Sequence, residues 1–344
     1  MTSKKNNQLE RFVEGVKNDL TTLVEEIAAG KNINEICCDM KISREKLYYL
    51  VDELNSFGYS IYRDYDFKGN VKYNFGLREK QMKNSKMCSF KIPEHIKEFK
   101  IGQMSDIHFR TGSDMSVTTN ICELFRKEGI NIVFITGDLI DGSSSFRQGE
   151  YNLIEDIQNF VKAFPQFDNM IFVTVMGNHD YELYEKEKID INQYLHITRH
   201  DFICLGFDYG FVGFNNDMIL LQHPKKMMEN IDNFELPDSP YLPKTILRIM
   251  GHRHCFNVSS GGSLMDVYSP AVTDIKMNGS TMPGFLILEC KCPHNNIESI
   301  VVKNFIIYDG NIIYDPAGKN TYYVQNYETN VANQRKREEK KRKV

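Results

Sequence analysis

From Phe99 onward the chain alternates short apolar runs with amphipathic stretches: FKIGQMS, the helix-like VTTNICELFRKEG, INIVFITG, the helix-like YNLIEDIQNFVKAF, then MIFVTVMG. Apolar runs of strand length separated by helix-period segments predict the order βαβαβ, an α/β sheet with right-handed crossovers. Two more runs, MILLQ and TILRIMG, lead into a stretch dominated by strands, FLILEC, SIVVKNFII and NIIYD. At 344 residues, the chain can hold one large α/β domain carrying a smaller one. No run approaches the roughly 20 apolar residues that a membrane-spanning helix needs. The start, MTSKKNNQLERF, has no apolar segment behind its lysines, so a cytoplasmic protein without a membrane partner is expected. The eight cysteines include no CxxC pair and are expected as reduced thiols.

The apolar runs end in side chains that bind metals. MSDIHF places Asp106 and His108 two apart, and ITGDLID places Asp138 and Asp141 behind a glycine. VMGNHD supplies Asn178, His179 and Asp180, LLQHP supplies His223, and IMGHRH supplies His252 and His254. The carboxyl ends of parallel strands lie along one edge of the sheet, so residues far apart in sequence converge there. The i, i+2 spacing in DIH and HRH sends both side chains of a pair to one side of an extended backbone. Gly137, Gly177 and Gly251 are expected to supply sharp turns out of the strands and close approach of the backbone. A lone DxH or GxH is more often a loop, but these five clusters contain five of the nine histidines, which turn chemistry does not explain. His95, His196, His200 and His294 fall outside the pattern and read as surface or internally satisfied residues. The mixture of carboxylate, amide and imidazole suits manganese, iron or zinc better than calcium or magnesium. Cys290, Cys292 and His294 form a weaker metal pattern, better read as an alternating strand end before Pro293.

The ordered series DxH, GDxxD, GNHD, H and GHxH, from Asp106 to His254, resembles the calcineurin-like metallophosphoesterase superfamily. The resemblance implies a four-layer αββα sandwich, placed here over residues 99–330, and two divalent metal ions, manganese foremost with iron or zinc as alternatives. By motif position, Asp106, His108 and His254 would hold one ion, Asn178, His223 and His252 the other, and Asp138 would bridge them. His179 is implied as a non-ligand that protonates the leaving oxygen or stabilises the phosphoryl charge, with Asp180 orienting it. Asp141 departs from the family pattern and is read as an outer carboxylate or a loop residue. Arg110 and Arg253, next to ligands, are candidates for phosphate contact. Two metals roughly 3.5 to 4 Å apart can clamp the attacking and departing oxygens and ionise a bridging water near neutral pH. The expected reaction is therefore hydrolysis of a P–O bond by a metal-bridging hydroxide, without a covalent enzyme intermediate.

Residues 1–83 read as helices over Val16–Ala29 and Asn34–Lys41, a third helix capped by Ser43 and ending at Gly58, then a hairpin, SIYRDYDF and VKYNFG. Three helices and a hairpin resemble a winged helix-turn-helix domain, joined to the body by a polar connector within residues 79–98, the linker being drawn at 84–98. Arg44, Lys46, Tyr48 and Tyr49 on the third helix and Arg63, Lys68 and Lys72 on the hairpin are candidate DNA contacts. This segment holds 14 Lys and Arg against 13 Asp and Glu, a weak basic excess for a nucleic-acid module, which keeps protein contact or homodimer formation as the alternative. Residues 84–330 are acidic, with 21 Lys and Arg against 31 Asp and Glu, whereas the tail, 331–344, holds 7 against 2. KKRKV in that tail resembles a nuclear-import cluster but reads better as a solvated charge run. The leading expectation is a phosphodiesterase or nuclease acting on DNA that the front domain and tail deliver. The alternative is a phosphoesterase for small nucleotides or cyclic nucleotides, its front domain serving protein contact. A DNA-binding regulator with a vestigial phosphoesterase part is disfavoured by the complete ligand set.

Overall fold

The computed structural model describes residues 2–76, 86–110, 114–141, 152–224, 244–261, 264–273 and 283–323. The basic tail, 331–344, and part of the expected connector lie outside these residues. Three helices open the chain: α1 (Thr2–Ala28), α2 (Ile33–Met40) and α3 (Arg44–Ser56). α1 reaches back past its expected start at Val16. Residues 2–14 contain neither Gly nor Pro, and the single Gly15 costs only about 1 kcal/mol in a helix interior. Asn32 and Glu35 form a capping box at the start of α2, and Ser43 caps α3 as expected. β1 (Ile61–Tyr65) and β2 (Val71–Phe75) pair antiparallel, and the Asp66 carboxylate accepts the Lys68 and Asn70 amides at the turn.

The body follows as β3 (Met87–Phe90), β4 (Glu98–Met104), α4 (Ser116–Lys127), β5 (Ile132–Thr136), α5 (Leu153–Ala163), β6 (Ile171–Met176), α6 (Asn178–Glu187), α7 (Ile191–Thr198) and β7 (Phe202–Phe207). β8 (Tyr209–Phe214), β9 (Asp217–Gln222), β10 (Lys244–Met250), β11 (Asn257–Gly261), β12 (Leu264–Tyr268), β13 (Gly284–Lys291), β14 (Ser299–Tyr308) and β15 (Asn311–Tyr323) complete it. A seven-stranded sheet has the order β15-β14-β13-β4-β5-β6-β7, parallel from β4 to β7, as the βαβαβ reading requires. A six-stranded sheet has the order β11-β12-β10-β9-β8-β3. β3 corrects the expected connector: it pairs in parallel with β8, and its Phe90 and the following Ile92 are buried. The alternation Met87, Cys88, Ser89, Phe90 is too short to stand out from a polar segment in sequence.

Residues facing inward from both sheets, among them Ile101, Phe134, Val173, Ile219, Leu221 and Ile249, share one apolar core. A second core, including Phe125, Ile157, Phe160, Leu183 and Leu195, fills the space between the seven-stranded sheet and helices α4 to α7. Of the four layers expected, three are present among the described residues: helices, seven-stranded sheet and six-stranded sheet. No helix among the described residues is long and apolar enough to cross a membrane.

The N-terminal elements join the first core through Leu23, Ile36, Leu47, Leu50 and Tyr73. They sit where β4, β6 and β7 begin. Phe67 packs edge-on against Phe99 at 5.0 Å, the Tyr65 hydroxyl donates to Phe202 O at 3.4 Å, and Arg44 pairs with Asp168 at 2.5 Å. Strands of this length, at about 3.3 Å per residue, put that edge roughly 20 Å from the opposite ends of the same strands.

Candidate metal centre

At those opposite ends, β4, β5, β6, β9 and β10 stop together, and each is followed within two residues by a polar cluster singled out above. The first two loops are zipped side by side, because the amides of Asp106 and His108 donate to Gly137 O at 3.0 Å and Asp138 O at 2.9 Å. The convergence does not come from extended alternation. Asp106, His108, Asp138, His252 and His254 all have positive φ, between 48° and 75°, so the left-handed turns fall on the candidate ligands themselves. L-residues adopt this region at a cost, and such costs cluster at functional sites.

The three glycines divide the work differently from the expectation. Gly137 alone has the positive φ, 86°. Gly177 and Gly251 are needed for space: a Cβ on Gly177 would overlap the Asp138 carboxylate, and one on Gly251 would overlap Thr136 O and Ser105 Oγ.

The side chains form a continuous row of donor atoms. Asp106 Oδ1 lies 3.1 Å from His254 Nε2, which is 3.3 Å from His108 Nε2. His108 Nε2 is 3.8 Å from Asp138 Oδ2, and that oxygen is 3.1 Å from His223 Nε2. His223 Nε2 in turn lies 3.1 Å from Asn178 Oδ1. Asp138 thus belongs to two overlapping groups of atoms within metal-binding reach, with His108 and His179 on one side and His223 and His252 on the other, while Asp106, His108 and His254 form a third group. Backbone and hydroxyl contacts hold the row: His223 Nδ1 donates to Thr136 O at 2.7 Å, which leaves its Nε2 as the atom facing the centre. Ser105 Oγ donates to the Asp106 carboxylate and stands 2.9 Å from Thr136 O.

Electrostatics follow from this crowding. Burial acts to raise the Asp138 carboxyl, but His223, His108 and His179 outweigh it and hold the group well below the ordinary range. Burial likewise acts against protonation of His223, yet Asp138 and Asp106 push it up to about 10. Burial drives His252 down to about 4. Among the described residues, the buried side-chain atoms without a hydrogen-bond partner include His108 Nδ1, His252 Nε2 and His254 Nδ1. Two Nε2 atoms 3.3 Å apart, a buried imidazole nitrogen with no partner and anionic oxygens between them are the donor set of a divalent cation. The residues present therefore fit the implied metals.

Two roles differ from the expectation. Asp180 does not reach His179; its carboxylate accepts the amides of Gly177 at 2.9 Å, Ile140 at 3.0 Å and Leu139 at 3.2 Å. It is the third residue of α6, where a carboxylate folds back onto the N-cap amide, whereas neighbours in a helix point apart. Asp180 thus ties the GDLID loop to the GNHD loop. Burial and the nearby Asp138 charge raise it to about 6, against those three amides. The carboxylate beside His179 is Asp141, at 3.4 Å from Nδ1, with Arg110 4.0 Å from its other oxygen. Burial resists protonation of His179, but the Asp141 contact and the Asp138 charge outweigh it and raise the imidazole. The GDxxD spacing carried this signal, since both carboxylates follow the same strand.

Residues 99–266 match the family model of the calcineurin-like phosphoesterases. These residues form a calcineurin-like phosphoesterase domain. Similar solved structures include the phosphoesterase YfcE of E. coli, at 17% identity over 66% of this chain and 100% of that one, with a TM-score of 0.39. Vacuolar protein sorting 29 of Cryptosporidium parvum is similar at 14% identity over 66% and 100%, with a TM-score of 0.40. A predicted phosphoesterase of Streptococcus pneumoniae is similar at 13% identity over 66% and 99%, with a TM-score of 0.37. Comparison with curated protein sequences finds no match.

The other candidate residues lie apart from the phosphoesterase centre or at its rim. Arg253 is exposed and its guanidinium stacks on Tyr268 at 4.5 Å. Arg44 is engaged by Asp168 and Asn34, Tyr48 is buried and stacks on His200 at 3.6 Å, and Arg63 meets His196 at 2.6 Å. Lys46 lies 3.5 Å from Asp19 and 5.5 Å from the Tyr49 ring. Tyr49, Lys68 and Lys72 are exposed.

Proposed function

We propose that the chain is a two-metal phosphodiesterase that hydrolyses a P–O bond by in-line attack of water. One observation carries this reading: Asp138 stands in the middle of the donor row, within reach of both histidine sets. Two divalent ions there would supply Lewis-acid polarisation of the phosphoryl group and a water acidic enough to ionise near neutral pH. Asp106, His108 and His254 would hold one, Asn178, His223 and His252 the other, and Asp138 both. His179 stands above this row, its amide held by Asp138 Oδ1 at 2.9 Å. With Nδ1 turned to Asp141, its Nε2 is the nitrogen left to give a proton to the departing oxygen. Arg110, beside Asp141, would steady the phosphate, with Arg253 next to the ligands His252 and His254 as the second candidate.

Between DNA and a small nucleoside or cyclic-nucleotide ester, the position of the N-terminal elements favours the small ester. They pack at the edge opposite the metal centre, and Arg44, Tyr48 and Arg63 are spent on that packing. Lys68 and Lys72 on the hairpin remain for a nucleic acid, far from the reacting atoms. The test is hydrolysis by the full chain, supplemented with manganese, of bis-p-nitrophenyl phosphate and of labelled single- and double-stranded DNA. Diester cleavage with little DNA cleavage is expected; DNA cleavage as the faster reaction reverses the substrate assignment, and no cleavage of any substrate removes the reaction.

A further inference from the structure

The first turn of α6 carries Asn178, Tyr181 follows one turn on, and Tyr184 a further turn on, about 120° around the helix axis from Asn178, while Asp180 and Leu183 turn inward and are buried. The Phe207 ring lies 5.3 Å from Tyr181 and 6.3 Å from Tyr184, so three rings stand together where β7 ends. The next residue fixes them to the metal centre. Asp208 donates its amide to Met176 O at 3.1 Å, just before the GNHD loop, and its carbonyl accepts the His223 amide at 2.7 Å. On the other side of this link, Tyr209 lies under Lys86, whose ammonium is 3.5 Å from the ring centroid and donates to Phe207 O at 3.2 Å.

We propose that this rim is a subsite that stacks the nucleobase of a small nucleoside phosphodiester whose phosphate lies at the metal centre. It rests on the reaction proposed above. Tyr184 is 43% exposed beside two further rings, so the aromatic cluster reaches the surface. Bases stack on aromatic side chains whatever their hydrogen-bonding edge, so the subsite accepts a nucleobase without fixing which one. Lys86 adds positive charge at the rim of an acidic body, complementary to an anionic ester. Because Tyr181 is about 5 Å and Tyr184 about 9 Å along the helix from Asn178, a base on these rings would lie within a nucleoside's length of its own phosphate rather than at a remote site.

The test compares two chromogenic diesters that release p-nitrophenol, thymidine 5′-(p-nitrophenyl phosphate) and methyl p-nitrophenyl phosphate, using the full chain with manganese. The wild-type kcat/KM should favour the thymidine ester by roughly tenfold or more, and Tyr184→Ala should cut that preference roughly tenfold, mainly through KM. Tyr184→Phe, which keeps the ring, should retain it. Equal kcat/KM for the two esters, or a preference that survives both Tyr184→Ala and Phe207→Leu, overturns the subsite and leaves the reaction standing. Failure to hydrolyse either ester removes the reaction, and the subsite with it.

Discussion

The two edges of the sandwich both bury histidines, carboxylates and an aromatic or two, and they treat them in opposite ways. At the edge that receives the N-terminal elements, Arg199 gives two hydrogen bonds to Asp201, at 2.9 and 2.7 Å, and further ones to the carbonyls of Val161, Phe164 and Pro165. His200 stacks on Tyr48, and its Nδ1 is 2.5 Å from the Tyr73 hydroxyl. At the other edge, histidine nitrogens point at one another across a pair of carboxylates. The buried side-chain atoms without a hydrogen-bond partner among the described residues include His252 Nε2 at this edge, with His108 Nδ1 and His254 Nδ1 on rings whose Nε2 atoms face each other. Buried polar groups satisfied by protein hold a fold together, whereas groups that converge without satisfying each other mark a place for a ligand.

The contrast can be broken by five substitutions, from the largest effect downward. Asp138→Asn should abolish metal retention and hydrolysis together, exceeding the roughly 10- to 100-fold that loss of an outer-shell partner costs; metal analysis after gel filtration and a diester assay read both. His179→Ala should keep the metals and lose rate by roughly 10²- to 10⁴-fold, as expected for a general acid. Asp141→Asn should fall between that variant and wild type, and full activity in Asp141→Asn would disconnect the carboxylate from His179.

The fourth substitution concerns the docking edge. Burial holds His200 down at about 2, below the ordinary value near 6.5, so between these values the unfolded chain binds the proton and the folded one does not. Stability from this group is complete above about pH 6.5 and should fall by about 2 kcal/mol by pH 5. His200→Phe should start from a lower stability, having lost the Tyr73 contact, but decline less steeply with acid in denaturant titrations. The smallest effect is expected of Arg44→Ala. Its partner Asp168 is 79% exposed, which limits the loss to less than about 1 kcal/mol. A larger loss in thermal unfolding would show that the edge depends on this pair more than on its buried rings.

Much of this was readable in the chain. MIFVTVM, INIVFI and FKIGQM could only be central strands of an α/β sheet, and their polar ends converge as that topology demands. What escaped was contact detail. The DIH and HRH pairs converge through left-handed turns, not extended alternation, because zipped loops replace the strand at Asp106 and His108. Asp141, expected only as an outer carboxylate or loop residue, stands beside His179 where Asp180 was expected, since helix N-terminal geometry rather than sequence adjacency decides where the Asp180 carboxylate points. β3 was hidden in a segment with too few apolar residues to reveal a period. The N-terminal elements have the expected helices and hairpin, yet no pattern in Arg44, Tyr48 or Arg63 distinguishes a side chain reaching for DNA from one reaching for Asp168, His200 or His196.

The account stands or falls on Asp138 serving two ions at once. Isothermal titration of the metal-stripped full chain with manganese, run beside Asp138→Asn, measures this directly. The account predicts two ions bound per wild-type chain, with diester hydrolysis rising as the second site fills, and neither retained when Asp138 is replaced. One ion per chain, or two still bound by Asp138→Asn, would contradict it.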